Sequence, residues 1–128
     1  MELEVGMYVR TKKGCICQIL RETYSKYISR NKELCYEVDR PINVNMELYG
    51  EDILKASNNI IDLIEVGDYV NGYKIIEIIE DDRKLEPSTM VWCNYGSNGI
   101  GFYNEDIKSI VTSEQFKAME YVVGGSDE

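Results

Sequence analysis

Short apolar runs separated by glycine turns are the main pattern along this chain. Residues 5–9 alternate weakly between apolar and polar positions, as a half-buried strand does. Gly14 and Gly72 then mark tight turns, because glycine adopts positive φ without a steric penalty. A largely apolar run follows each turn, at 15–20 and at 73–79. The pattern predicts short strands joined by tight turns.

This pattern occurs twice in the chain. Residues 4–9 read Glu-Val-Gly-Met-Tyr-Val, and residues 65–70 read Glu-Val-Gly-Asp-Tyr-Val. The Glu-Asp-Ile of residues 51–53 returns at 105–107, where the carboxylates suit the first turn of a helical segment. Two landmarks in the same order predict that one unit has been duplicated.

We expect five short strands in each copy, which is typical of a small SH3-like barrel. The predicted fold is therefore mainly β, with two tandem SH3-like small barrels and a C-terminal α-helix. The first barrel is expected at 1–57 and the second at 58–112. The helix, at 113–123, is expected to pack on the second barrel, and residues 124–128 are expected to form a disordered tail.

The C-terminal helix has the clearest signal of any single element. Thr112 or Ser113 can cap its N-terminus, and Gln115 completes a capping-box pattern with Thr112. The face that we expect to pack on the barrel carries Phe116, Met119 and Val123.

Residues that most enzymes use for catalysis are scarce. The chain has no histidine, the commonest general base and metal ligand. Residues 96–99 lack the spacing and the following lysine of a phosphate-binding loop, so we interpret them as a hairpin loop. The sequence predicts no enzyme, no metal and no cofactor. The cysteines lack the paired spacing of a zinc site and are expected to be buried free thiols: Cys15, Cys17, Cys35 and Cys93.

The sequence also bears on location. No apolar run approaches the length of about 20 residues that crosses a bilayer. The N-terminus is acidic and lacks the basic start and apolar stretch of a signal peptide. We expect a cytoplasmic protein without a membrane partner.

Charge is spread unevenly along the chain. The formal net charge is −9, yet residues 1–36 carry seven basic residues against four acidic ones. The acidic remainder repels nucleic acid, whose binding depends on neutralised phosphates. General binding of nucleic acid is therefore not expected.

The basic N-terminal part contains one candidate site. Residues 21–32 interleave two tyrosines with four basic side chains, which suits stacking of a base and neutralisation of a phosphate. A mobile loop with solvating charges is the alternative. The predicted partner- or nucleotide-binding residues are Arg10, Lys12, Lys13, Arg21, Tyr24, Lys26, Tyr27 and Arg30.

The acidic second unit contains another candidate site. Carboxylates on a rigid sheet can imitate a nucleic-acid backbone and occupy a basic groove on a partner. The alternatives are ordinary solubility and a divalent cation site, which is disfavoured because the EF-hand spacing is absent. The predicted acidic, partner-binding face consists of Glu77, Glu80, Asp81, Asp82 and Glu86.

Residues 58–74 and 107–116 resemble segments of small phage and prophage proteins from low-GC Gram-positive bacteria. The resemblance concerns the second unit and the helix, about half of the chain, and gives no residue a role. It implies a bacterial host cell and an action against host defences, as anti-CRISPR proteins have.

We expect a non-enzymatic, phage-type protein-binding module that inhibits a bacterial defence complex by occlusion or nucleic-acid mimicry. Its partner would be a host protein or ribonucleoprotein complex with a basic surface. Two alternatives use the basic, tyrosine-containing loop instead: a sponge for nucleotide signals and a small nucleic-acid-binding regulator. The sequence leaves a homo-oligomer open.

Overall fold

The alternation and the glycine turns produce two antiparallel sheets of five strands each. The computed structural model describes residues 2–40, 47–81 and 88–123. The first sheet, called unit 1, contains β1 (Tyr8–Thr11), β2 (Ile16–Tyr24), β3 (Leu34–Val38), β4 (Glu47–Leu48) and β5 (Ile53–Ser57). The second, called unit 2, contains β6 (Tyr69–Val70), β7 (Tyr73–Asp81), β8 (Ser88–Tyr95), β9 (Asn98–Phe102) and β10 (Ile110–Val111).

The two sheets have the same strand order. Read from one edge, the order is β4-β3-β2-β1-β5 in unit 1 and β9-β8-β7-β6-β10 in unit 2. A 3-10 helix precedes the last strand of each unit, at Gly50–Asp52 and at Asn104–Asp106. Two further 3-10 helices lie at Ile28–Arg30 and Ile60–Leu63. The prediction of a mainly β protein built from two similar units is confirmed.

The repeated Glu-Val-Gly motif forms the same turn in both units. Gly6 adopts a φ of 95°, and its N–H donates to the carbonyl of Ile19 at 2.8 Å. Gly67 adopts a φ of 102°, and its N–H donates to the carbonyl of Ile75 at 2.9 Å. Residues with a Cβ are strained at such φ values, so the turn before the first strand requires glycine in both units.

The strand pairing is duplicated as well. A bulge interrupts β2 just before Arg21 and interrupts β7 just before Glu77. After the bulge, Arg21 pairs with Glu37 and Glu77 pairs with Trp92. These residues therefore occupy equivalent positions in the two units, although their chemistry differs.

The predicted helical turns at the Glu-Asp-Ile landmarks are confirmed as 3-10 helices. The N–H of Tyr49 donates to the Asp52 carboxylate at 3.2 Å, and the N–H of Tyr103 donates to the Asp106 carboxylate at 3.0 Å. Each aspartate thus closes the turn that leads into the last strand, which explains why the landmark occurs in both copies.

Each unit buries its own apolar core. Burial in the core of unit 1 raises the pKa of the Cys17 thiol to about 12. All four cysteines are free; Cys17, Cys35 and Cys93 are buried as predicted, whereas Cys15 is partly exposed. The core of unit 1 includes Val9, Cys17, Ile19, Val38, Leu48 and Ile53. The core of unit 2 includes Ile61, Ile64, Val70, Ile75, Val91 and Cys93.

The C-terminal helix α1 (Ser113–Ala118) is present but shorter than predicted. Phe116 stacks on Tyr69 of unit 2, with ring centroids 4.6 Å apart. Met119 and Val123 are 84% and 83% exposed, so their predicted packing is wrong. Met119 is the C-cap residue at which the helix ends, and Val123 lies beyond that end. Within the described residues, no helix has the length and apolar character needed to span a membrane.

Thr112 caps α1 as predicted and also connects it to unit 1. Its Oγ1 accepts the N–H of Gln115 at 3.2 Å, and its hydroxyl donates to the Gly14 carbonyl at 2.6 Å. A Cβ on Gly14 would lie only 2.6 Å from the Cβ of Glu114, so glycine permits this close approach. The helix therefore contacts both units rather than unit 2 alone. The predicted tail at 124–128 lies outside the described residues.

Candidate partner-binding surfaces

Arg10 does not lie on the surface where the sequence placed it. Its side chain is fully buried. It donates to both carboxylate oxygens of Asp68, to the carbonyl of Leu63 at 3.0 Å and to Glu114 at 2.7 Å. The prediction that Arg10 contacts a partner is therefore wrong, because the side chain ties unit 1 to unit 2 and to α1.

Asp68, the ion-pair partner of Arg10, is a residue at which the two copies of the repeat differ. Asp68 takes the place that Met7 has in unit 1. The N–H of Glu65 donates to the Asp68 carboxylate at 2.7 Å, where the N–H of Glu4 contacts the Met7 sulfur at 3.2 Å. The motif is otherwise repeated, so this carboxylate in its second copy was the sequence signal for the buried ion pair.

The two other arginines of the predicted basic site are already paired within unit 1. Arg21 donates to both carboxylate oxygens of Glu37, at 2.9 and 2.7 Å. Hydrogen bonding from Arg21 also lowers the pKa of the Glu37 carboxyl. Arg30 donates to Glu51 at 2.6 Å, and its guanidinium lies 4.0 Å from the ring centroid of Tyr49. Neither arginine is left as a free cation for a phosphate.

The remaining residues of the predicted basic site are separated. Lys12 and Lys13 lie in the turn before β2, while Tyr24 is its last residue and Lys26 and Tyr27 follow it. A strand of nine residues spans about 25 Å when extended. All five side chains are exposed, but they do not form one continuous surface.

A buried carboxylate holds the start of the loop between β2 and β3. Glu47 accepts hydrogen bonds from the Ser25 hydroxyl and from the N–H of Lys26, both at 2.9 Å, and from the hydroxyl of Tyr49. The bond from Tyr49 is the main reason why the pKa of Glu47 is lowered. The alternative of a mobile loop therefore does not apply to the start of this loop. Glu47 was not among the predicted site residues, and it lies in a two-residue strand.

The predicted acidic face is divided by the register of unit 2. Glu77 and Glu80 are both exposed on β7, and neither forms an ion pair with a cation of the described residues. Glu77 is opposite Trp92, whereas Glu80, three residues further on, is opposite Thr89 and accepts its hydroxyl at 3.0 Å. Successive residues point to opposite sides of a strand, so the two carboxylates lie on different sides of the hairpin.

Of the predicted acidic residues, Glu77 and Glu80 are the ones whose side chains the structure describes. Asp81 is the last residue of β7, and Asp82 and Glu86 lie outside the described residues. In the described part of the chain, no group of three metal-ligating side chains is assembled. The part of the predicted face that the structure establishes is therefore Glu77, which lies opposite an aromatic residue, Trp92.

Trp92 was not among the predicted site residues, but it lies on the surface. Directly opposite residues share a side of the sheet, so Glu77, Ile79, Met90 and Trp92 form one surface, which we call the Glu77/Trp92 face. Trp92 is partly exposed, whereas Met90 is buried beside it. This face combines a carboxylate, an indole and an apolar floor.

Two glycines of β9 explain how the indole lies on this face. A Cβ added to Gly99 would lie 1.9 Å from an indole carbon of Trp92. A Cβ added to Gly101 would lie 2.3 Å from the sulfur of Met90 and 3.2 Å from the indole. Only glycine leaves room for the ring to lie against β9 at these positions. Alternate glycines opposite a tryptophan were the signal in the sequence.

No protein-family model matches the chain, and no curated protein or solved structure matches it either. The choice of the Glu77/Trp92 face as the candidate partner-binding surface therefore depends on its geometry and charge alone.

Proposed function

We propose that this protein is a non-enzymatic binding module that covers a basic surface of a partner protein. The Glu77/Trp92 face is the observation that carries the proposal. A guanidinium group can pair with a carboxylate and stack on an indole at the same time, so this pair of side chains suits an arginine of the partner. The formal net charge of −9 adds attraction over a longer range.

The basic loop gives less support to the two alternatives. Arg21 and Arg30 are engaged by carboxylates of unit 1, and Arg10 is buried. A nucleotide sponge or a nucleic-acid-binding regulator needs free cations close together, because it must neutralise phosphates. The lysines that remain are at opposite ends of β2.

Occlusion accounts for the action on the partner better than mimicry of nucleic acid does. A mimic needs several carboxylates spaced along one surface, whereas Glu77 and Glu80 lie on different sides of the β7–β8 hairpin. A carboxylate opposite a partly exposed indole resembles the centre of a protein interface, where aromatic residues carry much of the binding energy.

The partner that we propose is a bacterial defence complex, a ribonucleoprotein or protein with a basic surface in the host cytoplasm. The resemblance of residues 58–74 and 107–116 to phage and prophage proteins supports this class. Expression of the protein in a Gram-positive bacterium with active CRISPR immunity should restore transformation by a targeted plasmid. If every CRISPR type tested still blocks transformation, CRISPR complexes are excluded as the partner. The binding face itself is tested separately, by capture.

Capture from a bacterial lysate tests the binding face directly. The immobilised protein should retain a partner that elutes as salt rises, because the attraction is partly electrostatic. Glu77→Lys should abolish the capture. Glu120→Lys makes the same change of charge at an exposed residue outside the face and should retain it.

Two results would contradict the proposal. One is a partner captured equally well by the Glu77→Lys and Glu120→Lys proteins. The other is no captured protein at low salt, together with a rise of several degrees in the unfolding temperature on addition of a nucleotide. Ligands that bind only the folded state raise apparent stability, so that second result would favour the nucleotide sponge.

A further inference from the structure

A cleft of about 300 Å³ lies where unit 1 and unit 2 meet. Unit 1 contributes Tyr8 of β1 and Arg40, which follows β3. Unit 2 contributes Lys108 and Ile110, from the segment that includes β10. The cleft exists only because the two units are joined, and it lies apart from the Glu77/Trp92 face.

One side of the cleft is apolar. Ile60, Ile107 and Ile110 line it, and each of these side chains is only partly buried by the rest of the protein. A ligand with a short aliphatic body would remove the remaining apolar surface from water. Small-molecule sites in proteins usually combine such walls with a few polar groups.

The charged groups of the cleft are cationic in excess. Arg40 and Lys108 are both exposed, and neither forms an ion pair with a carboxylate of the described residues. The cleft contains one acid, Asp39, whose carboxylate accepts the N–H of Gln18 at 2.8 Å.

The backbone that carries Lys108 is held in place. The side-chain oxygen of Asn71 accepts the N–H of Lys108 at 2.8 Å and the N–H of Ser109 at 3.1 Å. The side-chain amide of Asn71 donates to the carbonyl of Asp106 at 2.9 Å. This asparagine therefore fixes the position from which the lysine reaches the cleft.

We propose that the cleft binds a small organic anion with a short aliphatic body. Arg40 and Lys108 bind its carboxylate or phosphate head, and Ile60, Ile107 and Ile110 contact its apolar part. Both heads suit paired cations, since each accepts several charge-assisted hydrogen bonds. The proposal does not depend on the partner-binding function.

Titration of the full-length chain, labelled with nitrogen-15, tests the site. We expect hexanoate or hexyl phosphate, at millimolar concentration, to shift the amide signals of Lys108, Ser109 and Ile110. Hexan-1-ol, which has the same chain without the charge, should bind about tenfold more weakly. The head that binds more tightly identifies the natural class of anion.

Two comparisons separate the proposed site from general attraction. Arg40→Gln with Lys108→Gln should weaken the anion about tenfold, whereas Lys12→Gln with Lys13→Gln should not. Hexanoate should bind more tightly than butanoate by about fourfold for each added methylene group. The proposal fails if no anion shifts the cleft amides, if both double variants bind alike, or if chain length has no effect.

Discussion

Unit 1 and unit 2 have the same strand order, the same bulge and the same turns, but their equivalent side chains have different tasks. Arg21 and Glu37 pair with each other on the outer side of unit 1. At the equivalent positions unit 2 has Glu77 and Trp92, so that among the described residues the carboxylate has no cation and an indole lies opposite it. The backbone has kept its geometry while the surface has changed.

The strands next to these positions differ in the same way. Glu47 of β4 is equivalent to Gly101 of β9, because each pairs with the residue just compared, Glu37 or Trp92. The carboxylate of Glu47 holds a loop of unit 1, whereas Gly101 leaves room for the indole in unit 2. At these positions the polar groups of unit 1 bond to one another, whereas unit 2 leaves Glu77 exposed and Trp92 partly exposed, on the face for which we propose a partner.

The largest expected effect concerns the ion pair that joins the units. Arg10→Met leaves Asp68 buried without its cation, which should lower the free energy of unfolding by about 3–5 kcal/mol. Asp68→Met added to it copies Met7, the equivalent residue of unit 1, and should recover much of the loss. Urea unfolding measures both. A single variant as stable as the parent protein would show that the units do not depend on this pair.

A smaller loss is expected where β9 supports the indole. Gly99→Ala forces the ring of Trp92 to move and should cost about 1–3 kcal/mol, with a shift in tryptophan emission. Gly50→Ala is the matched control, since a Cβ there meets nothing within 4 Å. Unchanged emission in the Gly99→Ala protein would mean that the indole does not lie against β9.

The next effect depends on pH. Hydrogen bonds, chiefly from Tyr49, lower the pKa of Glu47 from its ordinary value of 4.5. The ionised group therefore stabilises the fold above pH 4.5, and this contribution disappears as the pH falls through the lowered value. Glu47→Gln should reduce stability at neutral pH and make less difference in acid. Urea unfolding across this range would refute the assignment if the difference stayed constant.

The smallest effect is expected at the outer ion pair of unit 1. Arg21→Gln breaks a contact between exposed side chains, which water screens well. We expect the midpoint of urea unfolding to stay within experimental error. A clear loss of stability would show that the pair supports the barrel and is not merely a surface contact.

The local features of the fold could be predicted from the sequence, because each depends on neighbouring residues. Gly14 and Gly72 adopt positive φ in the turns that the pattern indicated, and Thr112 with Gln115 caps the helix as predicted. The burial of Arg10 could not be predicted, since its partner lies 58 positions away in the other unit.

The candidate sites were predicted less well for the same reason. The sequence places Glu77 and Glu80 close together, but the pleat of β7 puts them on different sides of the hairpin. Arg40 and Lys108 line the same cleft only because the units pack together. Contacts between distant parts of the chain, and not composition, decide which charges share a surface.

Fluorescence of Trp92, the only tryptophan in the chain, tests the central claim most directly. Titration with an oligo-arginine peptide should change the emission of the parent protein, with an affinity that falls as salt rises. Glu77→Gln should weaken this binding about tenfold, whereas Glu120→Gln should leave it nearly unchanged. Equal weakening by both substitutions, or no change in emission, would contradict a binding site on the Glu77/Trp92 face.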